Sequence, residues 1–211
     1  MLPDLLCGDI LLSANPGWPS KVVLFFGRLQ TVKARMSHAA IGLFPTRVIE
    51  SLWRVRIRPA QRYDVPGYRL ALYRLPMTEA QRDMLATRLM EHAGDSYGWT
   101  KLPLFALDGM ASWGGRAVGR RQPVFFFTRR FGLLNIPVCS QFAVYVLKKW
   151  ASYPLVNPLG NHVEWRTVGP YYLDDLLKLP ANRAQCIYET TGIAPASFVG
   201  QPIFQPPVSL V

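Results

Sequence analysis

The sequence predicts an α+β domain in which an antiparallel sheet packs against helices. Three observations lead there. Short apolar or alternating runs fill the first 75 residues and helical patterns follow them. Glycine (16) and proline (18) are frequent enough to require many turns. Half of the 211 residues are hydrophobic and 18% are charged, the balance of a folded chain with a real core.

Taken in order, CGDILLSAN (7–15) reads as a strand stopped by Asn15-Pro16-Gly17, and KVVLFFGRLQ (21–30) suits either a helix or a strand. MSHAAIGLF (36–44) reads as a strand that turns at Phe44-Pro45-Thr46, and RVIESLWRVRIR (47–58) resumes as one strand. YRLALYRL (68–75) is a further strand. MTEAQRDMLATRLMEHAG (77–94) is the clearest helix. Thr78 and Gln81 fit a capping box, Met84, Leu85 and Leu89 share a face, and Gly94 supplies the stop. GDSYGW (94–99) is a turn, and residues 100–137 read as irregular. A helix beginning CSQFAVYVLKKW (139–150) comes next, then PYYLDDLLKL (170–179) with Pro170 at its first position. Residues 1–190 are expected to form a single domain. Residues 191–211, with Pro195, Pro202, Pro206 and Pro207, read as an extended tail.

The net charge of +11 favours an anionic partner such as a membrane, a wall polymer or nucleic acid, with simple solubility as the alternative. No recognised nucleic-acid motif is present, so no specific nucleic acid is expected. No apolar run approaches the roughly 18 residues of a membrane span. The N-terminal MLPDLLCGDILL lacks a basic region and a small-residue cleavage site. A cytoplasmic protein is therefore expected, reaching an envelope only by lysis, a secretion system or a phage particle. Three cysteines (Cys7, Cys139, Cys186) and three histidines (His38, His92, His162) show neither disulfide nor zinc spacing, so neither metal nor cofactor is expected.

Cys139 stands at a helix start, where unpaired N–H groups and the helix dipole favour a thiolate. The alternative is a small packed hydrophobe. A base within reach decides between them, and His38 is the best candidate. If Gly42 pairs with Thr46 in the 36–54 hairpin, His38 lies opposite Glu50, and a slip of two residues keeps both on one face. A carboxylate there holds the imidazole's tautomer and stabilises the imidazolium, the third role of a nucleophile–base–orienter set. Glu50 has a competing role as charge partner for nearby arginines. His162 beside Asn161 is a rival base in a loop, and His92 is expected to meet helix carbonyls.

The segments GDIL (8–11), SHAAIGL (37–43), VIES (48–51), GDSYGW (94–99), VCSQF (138–142) and VGPYYLDDL (168–176) stand in an order that resembles the circularly permuted papain-like hydrolases of the NlpC superfamily, particularly the YiiX-like branch. The resemblance implies a permuted papain-like fold with Cys139 as nucleophile, His38 as general base and Glu50 as its orienter. It makes Tyr97 a neighbour of the oxyanion, and assigns the first helical turn, with Ser140 and Gln141, to oxyanion or substrate contacts. The backbone N–H of Cys139 is the expected oxyanion donor. A thiol hydrolase or acyltransferase follows, acting on a cell-wall peptide amide or a lipid acyl or amide bond.

Gln141 departs from the glutamate of many relatives, and the 100–137 stretch is longer than theirs. That stretch sets Lys101, Arg116, Arg120, Arg121, Arg129 and Arg130 against Asp108, mixed with Trp113, Phe125, Phe126, Phe127 and Phe131. It reads as a lid or membrane-interface segment, or else as a basic surface loop. Arg54, Arg56 and Arg58 share the strand parity of Glu50. A straight strand would lay them as a basic stripe for an anionic substrate group. The rival class is a non-enzymatic basic module with an inert cysteine.

Overall fold

The computed structural model describes residues 2–30, 34–51, 54–95, 101–117 and 139–191. Their architecture is α+β, built on a six-stranded antiparallel sheet. The strands are β1 (Ile10–Ala14), β2 (His38–Phe44), β3 (Arg47–Ser51), β4 (Val55–Pro59), β5 (Arg69–Arg74) and β6 (Gln185–Thr191), in the order β4-β3-β2-β1-β5-β6. Five α-helices accompany them among the described residues: α1 (Trp18–Gln30), α2 (Glu79–Glu91), α3 (Lys101–Ala117), α4 (Cys139–Lys149) and α5 (Pro170–Leu177).

Alternation along the strands sorts side chains between two cores. Ile10, Leu12, Ala39, Ile41, Ile49 and Tyr73 point into the larger one, beneath Leu85 and Leu89 of α2, Phe142 and Val146 of α4, and Leu173 of α5. Leu11, Ala40, Val48, Leu70 and Leu72 point the other way, to a smaller cluster closed by Leu5, Ala60 and Tyr63. The central strands are thus buried on both faces, which is why their sequences are apolar runs rather than clean alternations.

The GDI segment is a structural clamp. Gly8 holds φ +88°, a conformation that side-chain-bearing residues rarely adopt. Gly42 lies so close that an added Cβ would stand 2.5 Å from the Leu6 carbonyl oxygen. The Asp9 carboxylate is buried. It accepts from the Leu6 N–H (2.9 Å) and from Arg74 Nη2 (2.8 Å), with Arg82 Nη1 at 3.7 Å. A buried carboxylate needs such partners, and here they tie the N-terminal segment to β5 and α2.

Several expected elements take a different form. KVVLFFGRLQ is helical and extends back to Trp18. The 47–58 run is two strands rather than one, since β4 folds back on β3 with Glu50 opposite Arg56. QCIYETT, where no element is read from sequence, pairs with β5 as the sixth strand. Residues 101–117, expected to be irregular, form α3. Gly109 weakens a helix in isolation, but here it lets α3 approach α1 until an added Cβ would stand 3.1 Å from the Phe26 carbonyl oxygen. Tertiary packing thus overrides local propensity. In α2 the capping box of Thr78 and Gln81 is present. Leu85 and Leu89 are buried, but Met84 is exposed. Phe125, Phe126, Phe127, Phe131, Arg120, Arg121, Arg129 and Arg130 lie outside the described residues, as does the tail from 192.

Removing the Asp9 carboxylate takes the counter-charge from Arg74 and Arg82 and leaves the Leu6 N–H without its acceptor, so Asp9→Ala should lower unfolding stability by about 3 kcal/mol in urea titrations. A loss below about 1 kcal/mol, the scale of an ordinary surface ion pair, would refute the clamp.

Candidate active site

Cys139 is the first residue of α4, and this helix packs against β2 and β3. The first N–H groups of any helix lack helical acceptors, and the backbone N–H groups of Ser140 and Ala39 both face the Cys139 sulfur. Its side-chain neighbour is the imidazole of His38, the first residue of β2, close enough for each group to shift the pKa of the other. The other side of the ring is engaged as well: His38 Nε2 stands 2.9 Å from Glu50 Oε2. With Nε2 so occupied, Nδ1 is the nitrogen left for the thiol.

The hairpin register differs from the expected one by two residues. Ala40, not His38, is directly opposite Glu50, because the turn is tighter than expected, with Phe44 paired to Arg47, and the bulge between Gly42 and Phe44 then shifts the pairing back by one residue. Both side chains remain on one face, since side chains alternate with period two, and the diagonal reach is short enough for the hydrogen bond.

Glu50 has two more partners, neither apparent from sequence. The Tyr63 hydroxyl donates to Oε2, and its ring lies nearly parallel to that of His38, with planes 7° apart. Arg58 Nε lies 3.4 Å from Oε1. The chain returns over this face through the 3-10 turn Ala60–Arg62, which sets Tyr63 against Glu50. An aromatic residue 13 positions from its partner leaves no motif to read.

The electrostatics follow from these contacts. Burial alone would push the Cys139 thiol up, but the His38 charge, the His38 hydrogen bond and the two backbone N–H groups outweigh it and bring the thiol below its ordinary value. Burial would likewise lower His38, yet the facing thiolate and then Glu50 push it up to about 10. Glu50 would be raised by burial; bonds to His38 and Tyr63 and the charge of Arg58 hold it below the usual carboxylate range. Tyr63, raised by burial and by Glu50, stays a protonated donor. The other two thiols move in the opposite direction: burial pushes Cys7 up to about 11 and also raises Cys186. Of the three thiols, Cys139 is the one poised to ionise.

The side chains of Ser140 and Gln141 are buried, and they donate to the carbonyls of Val168 and Arg166 respectively. In this structure they anchor α4 to the 166–168 segment, while the Ser140 backbone N–H faces the sulfur. Arg54 and Arg56 are exposed. The expected straight stripe does not form, because the chain reverses before β4. Arg56 instead stands across from Glu50, and Arg54, Arg56 and Arg58 line an open groove of about 460 Å³ floored by Ile57 and Gly94. Tyr97 lies outside the described residues. His162 is exposed in a bridge with Val156. The His92 ring pairs with Asp95 and stacks on Trp150 rather than meeting helix carbonyls. Among the described residues no cluster of three or more His, Cys, Asp or Glu is arranged to hold a metal ion.

Alkylation by iodoacetamide across pH measures this coupling. Cys139 should titrate below the ordinary thiol value of about 8.5, and His38→Ala should move it above that value, since burial then acts without the counter-charge. Identical profiles for the two proteins would show that the imidazole does not activate the thiol.

In comparisons with known proteins no family model matches the chain, and neither does any curated protein or solved structure.

Proposed function

We propose that the protein is a thiol hydrolase or acyltransferase with a Cys139–His38–Glu50 triad on a permuted papain-like fold of the NlpC type. The observation that carries this reading is the continuous chain from a thiol at a helix N-terminus, through a buried imidazole, to a carboxylate whose bonds keep it ionised. The thiol's lowered pKa and the histidine's raised one describe a thiolate–imidazolium pair, the resting form such chemistry requires.

In the reaction, the Cys139 thiolate attacks an amide or ester carbonyl carbon, and the carbonyl π electrons move to oxygen. Backbone N–H groups of the first helical turn, including that of Cys139, stabilise the oxyanion. As the tetrahedral species collapses, the His38 imidazolium gives its proton to the departing amine or alcohol, leaving a thioester on Cys139. A water or another acceptor then attacks the thioester while His38 takes its proton. Expulsion of the thiolate restores the ion pair. Glu50 holds the ring and stabilises its charged form throughout; Tyr63 and Arg58 hold Glu50.

Substrates fall into two classes, a cell-wall peptide amide and a lipid acyl or amide bond. The exposed Arg54 and Arg56, with Arg58 beside Glu50, supply an anionic-group contact for either. They also favour the second reading, a basic module that binds an anionic surface without chemistry. Intact-protein mass spectrometry with an activated ester separates the two. An acyl adduct on Cys139 that hydroxylamine removes, and that Cys139→Ala lacks, is the expected result; failure of any acyl group to transfer would favour the binding module.

Turnover should follow a bell in pH. The rate rises as pH climbs through the lowered Cys139 value and the thiolate forms. It falls near about 10, where His38 loses the proton it must donate. Glu50→Gln should reduce kcat by roughly 10²-fold or more, by analogy with losing the orienting acid of a triad. A rate that keeps rising above pH 10, as for a simple thiol, would count against the mechanism.

A further inference from the structure

Helices α1 and α3 each bury small or polar residues and expose large apolar ones. On α1, Ser20 is buried and bonded to Ser37 Oγ, and Gly27 faces the Tyr171 ring. The opposite side exposes Trp18 (75% accessible) and Phe25 (58%), seven residues apart and therefore on one stripe. On α3, Asp108 and Ser112 are buried, while Leu107, Met110 and Trp113 (65%) are exposed at three-residue spacing. Asp108 is the one charged residue of the sequence between positions 102 and 115, so this outward face carries no charge there.

A water-facing helix places its apolar stripe inward and its charges outward; α3 does the reverse, and α1 exposes Trp18 and Phe25 alongside its charges. Five large apolar side chains exposed on two packed helices are more than a scatter of single surface hydrophobics, and larger apolar patches mark interaction sites. Tryptophan's amphipathic ring belongs at a membrane–water boundary. Lys21 and Arg28, both exposed, each follow an apolar anchor of α1 by three residues, so cations border the stripe on one side. Long cationic side chains at that border reach lipid phosphates while their stems stay with the apolar face. The chain's +11 charge draws it to an anionic surface at longer range. No helix among the described residues is long and apolar enough to cross a membrane, so the fit is to a bilayer's interface rather than its span.

The face adjoins the thiol site. Ser20, one turn into α1 from Trp18, is bonded to Ser37, whose neighbour is His38. Ser37 Oγ also donates to the Ser13 carbonyl, and Ser13 pairs with His38 across β1 and β2. The first turns of α1 are therefore anchored beside the end of β2 that carries the imidazole.

We infer that the outer faces of α1 and α3 dock on an anionic lipid bilayer and that Cys139 takes its acyl group from a lipid held there. The second half rests on the thiol reading above; the docking itself does not. Sedimentation of the full chain with vesicles of phosphatidylglycerol and phosphatidylcholine tests it, with phosphatidylcholine vesicles as the uncharged comparison. Binding should be stronger to the anionic vesicles, weaken with salt, and shift tryptophan emission to shorter wavelength. Trp18→Glu combined with Trp113→Glu should lower partitioning by roughly tenfold or more. Met110→Glu, a single exposed change, should lower it in the same direction if the double variant folds poorly. Iodoacetamide labelling of Cys139 in each variant reports whether the fold and site are intact.

Wild-type binding that these substitutions leave unchanged would overturn the docking, as would no preference for anionic vesicles. A concentration-dependent dimer that the same substitutions dissolve would overturn it too, assigning the face to a second copy of the chain. Vesicle binding through this face with an ordinary, unactivated Cys139 would support docking and overturn the acyl-transfer half, so the two failures are distinguishable.

Discussion

The buried carboxylate of Glu50 is the constraint on which the rest of the site depends. A carboxylate inside a protein is expensive unless its oxygens are bonded and its charge is matched. Glu50 meets both conditions with three groups from different places in the chain: His38 on β2, Tyr63 after β4, and Arg58 on β4. Each partner requires a particular register. The β2–β3 pairing brings His38 into diagonal reach, and the β3–β4 reversal sets Arg58 alongside. The facing thiolate and, after it, the ionised carboxylate keep the imidazole protonated, and the imidazolium in turn lowers the thiol. Packing in one hairpin thus determines the chemistry at a helix 100 residues away in sequence.

Burial acts against the charged forms of Cys139, His38 and Glu50, and specific bonds and charges outweigh it at all three. That balance makes the site sensitive to geometry, because a lost hydrogen bond leaves its desolvation term uncompensated. Cys7 shows what happens otherwise: it is also enclosed, but no imidazole faces it, and its thiol moves up. The contrast between the two cysteines is one of partners, not of residue type. The same logic applies to the Asp9 clamp, whose arginines make a buried acid tolerable and tie the segment before β1 to β5 and α2.

The helices on the flank obey a different rule. α1 and α3 bury small and polar residues and expose several large apolar ones. Their packing rests on close approach, with Gly27 against Tyr171 and Gly109 against the α1 backbone, rather than on interlocking large side chains. Small residues at a helix contact are the usual device where apolar surface is wanted on the outside. The polarity of this flank and the activation of Cys139 meet at Ser37, bonded on one side to α1 and adjacent on the other to His38.

Much of the fold is legible in the sequence because its cues are local. Short apolar runs mark β1, β2 and β5, the Thr78–Gln81 box marks the start of α2, and Pro170 marks the start of α5. The shared face of His38 and Glu50 is legible too, since period two survives a slip of two residues. What the sequence by itself determined is therefore which residues can meet: a thiol at a helix start, an imidazole and a carboxylate on one strand face. Only the tertiary structure decided the rest. It folded 47–58 into two strands so that Arg56 faces Glu50, made a helix of 101–117 against α1, added β6, and brought Tyr63 over the hairpin. These outcomes arise from contacts between distant segments, where packing outweighs the small local preferences that a sequence displays.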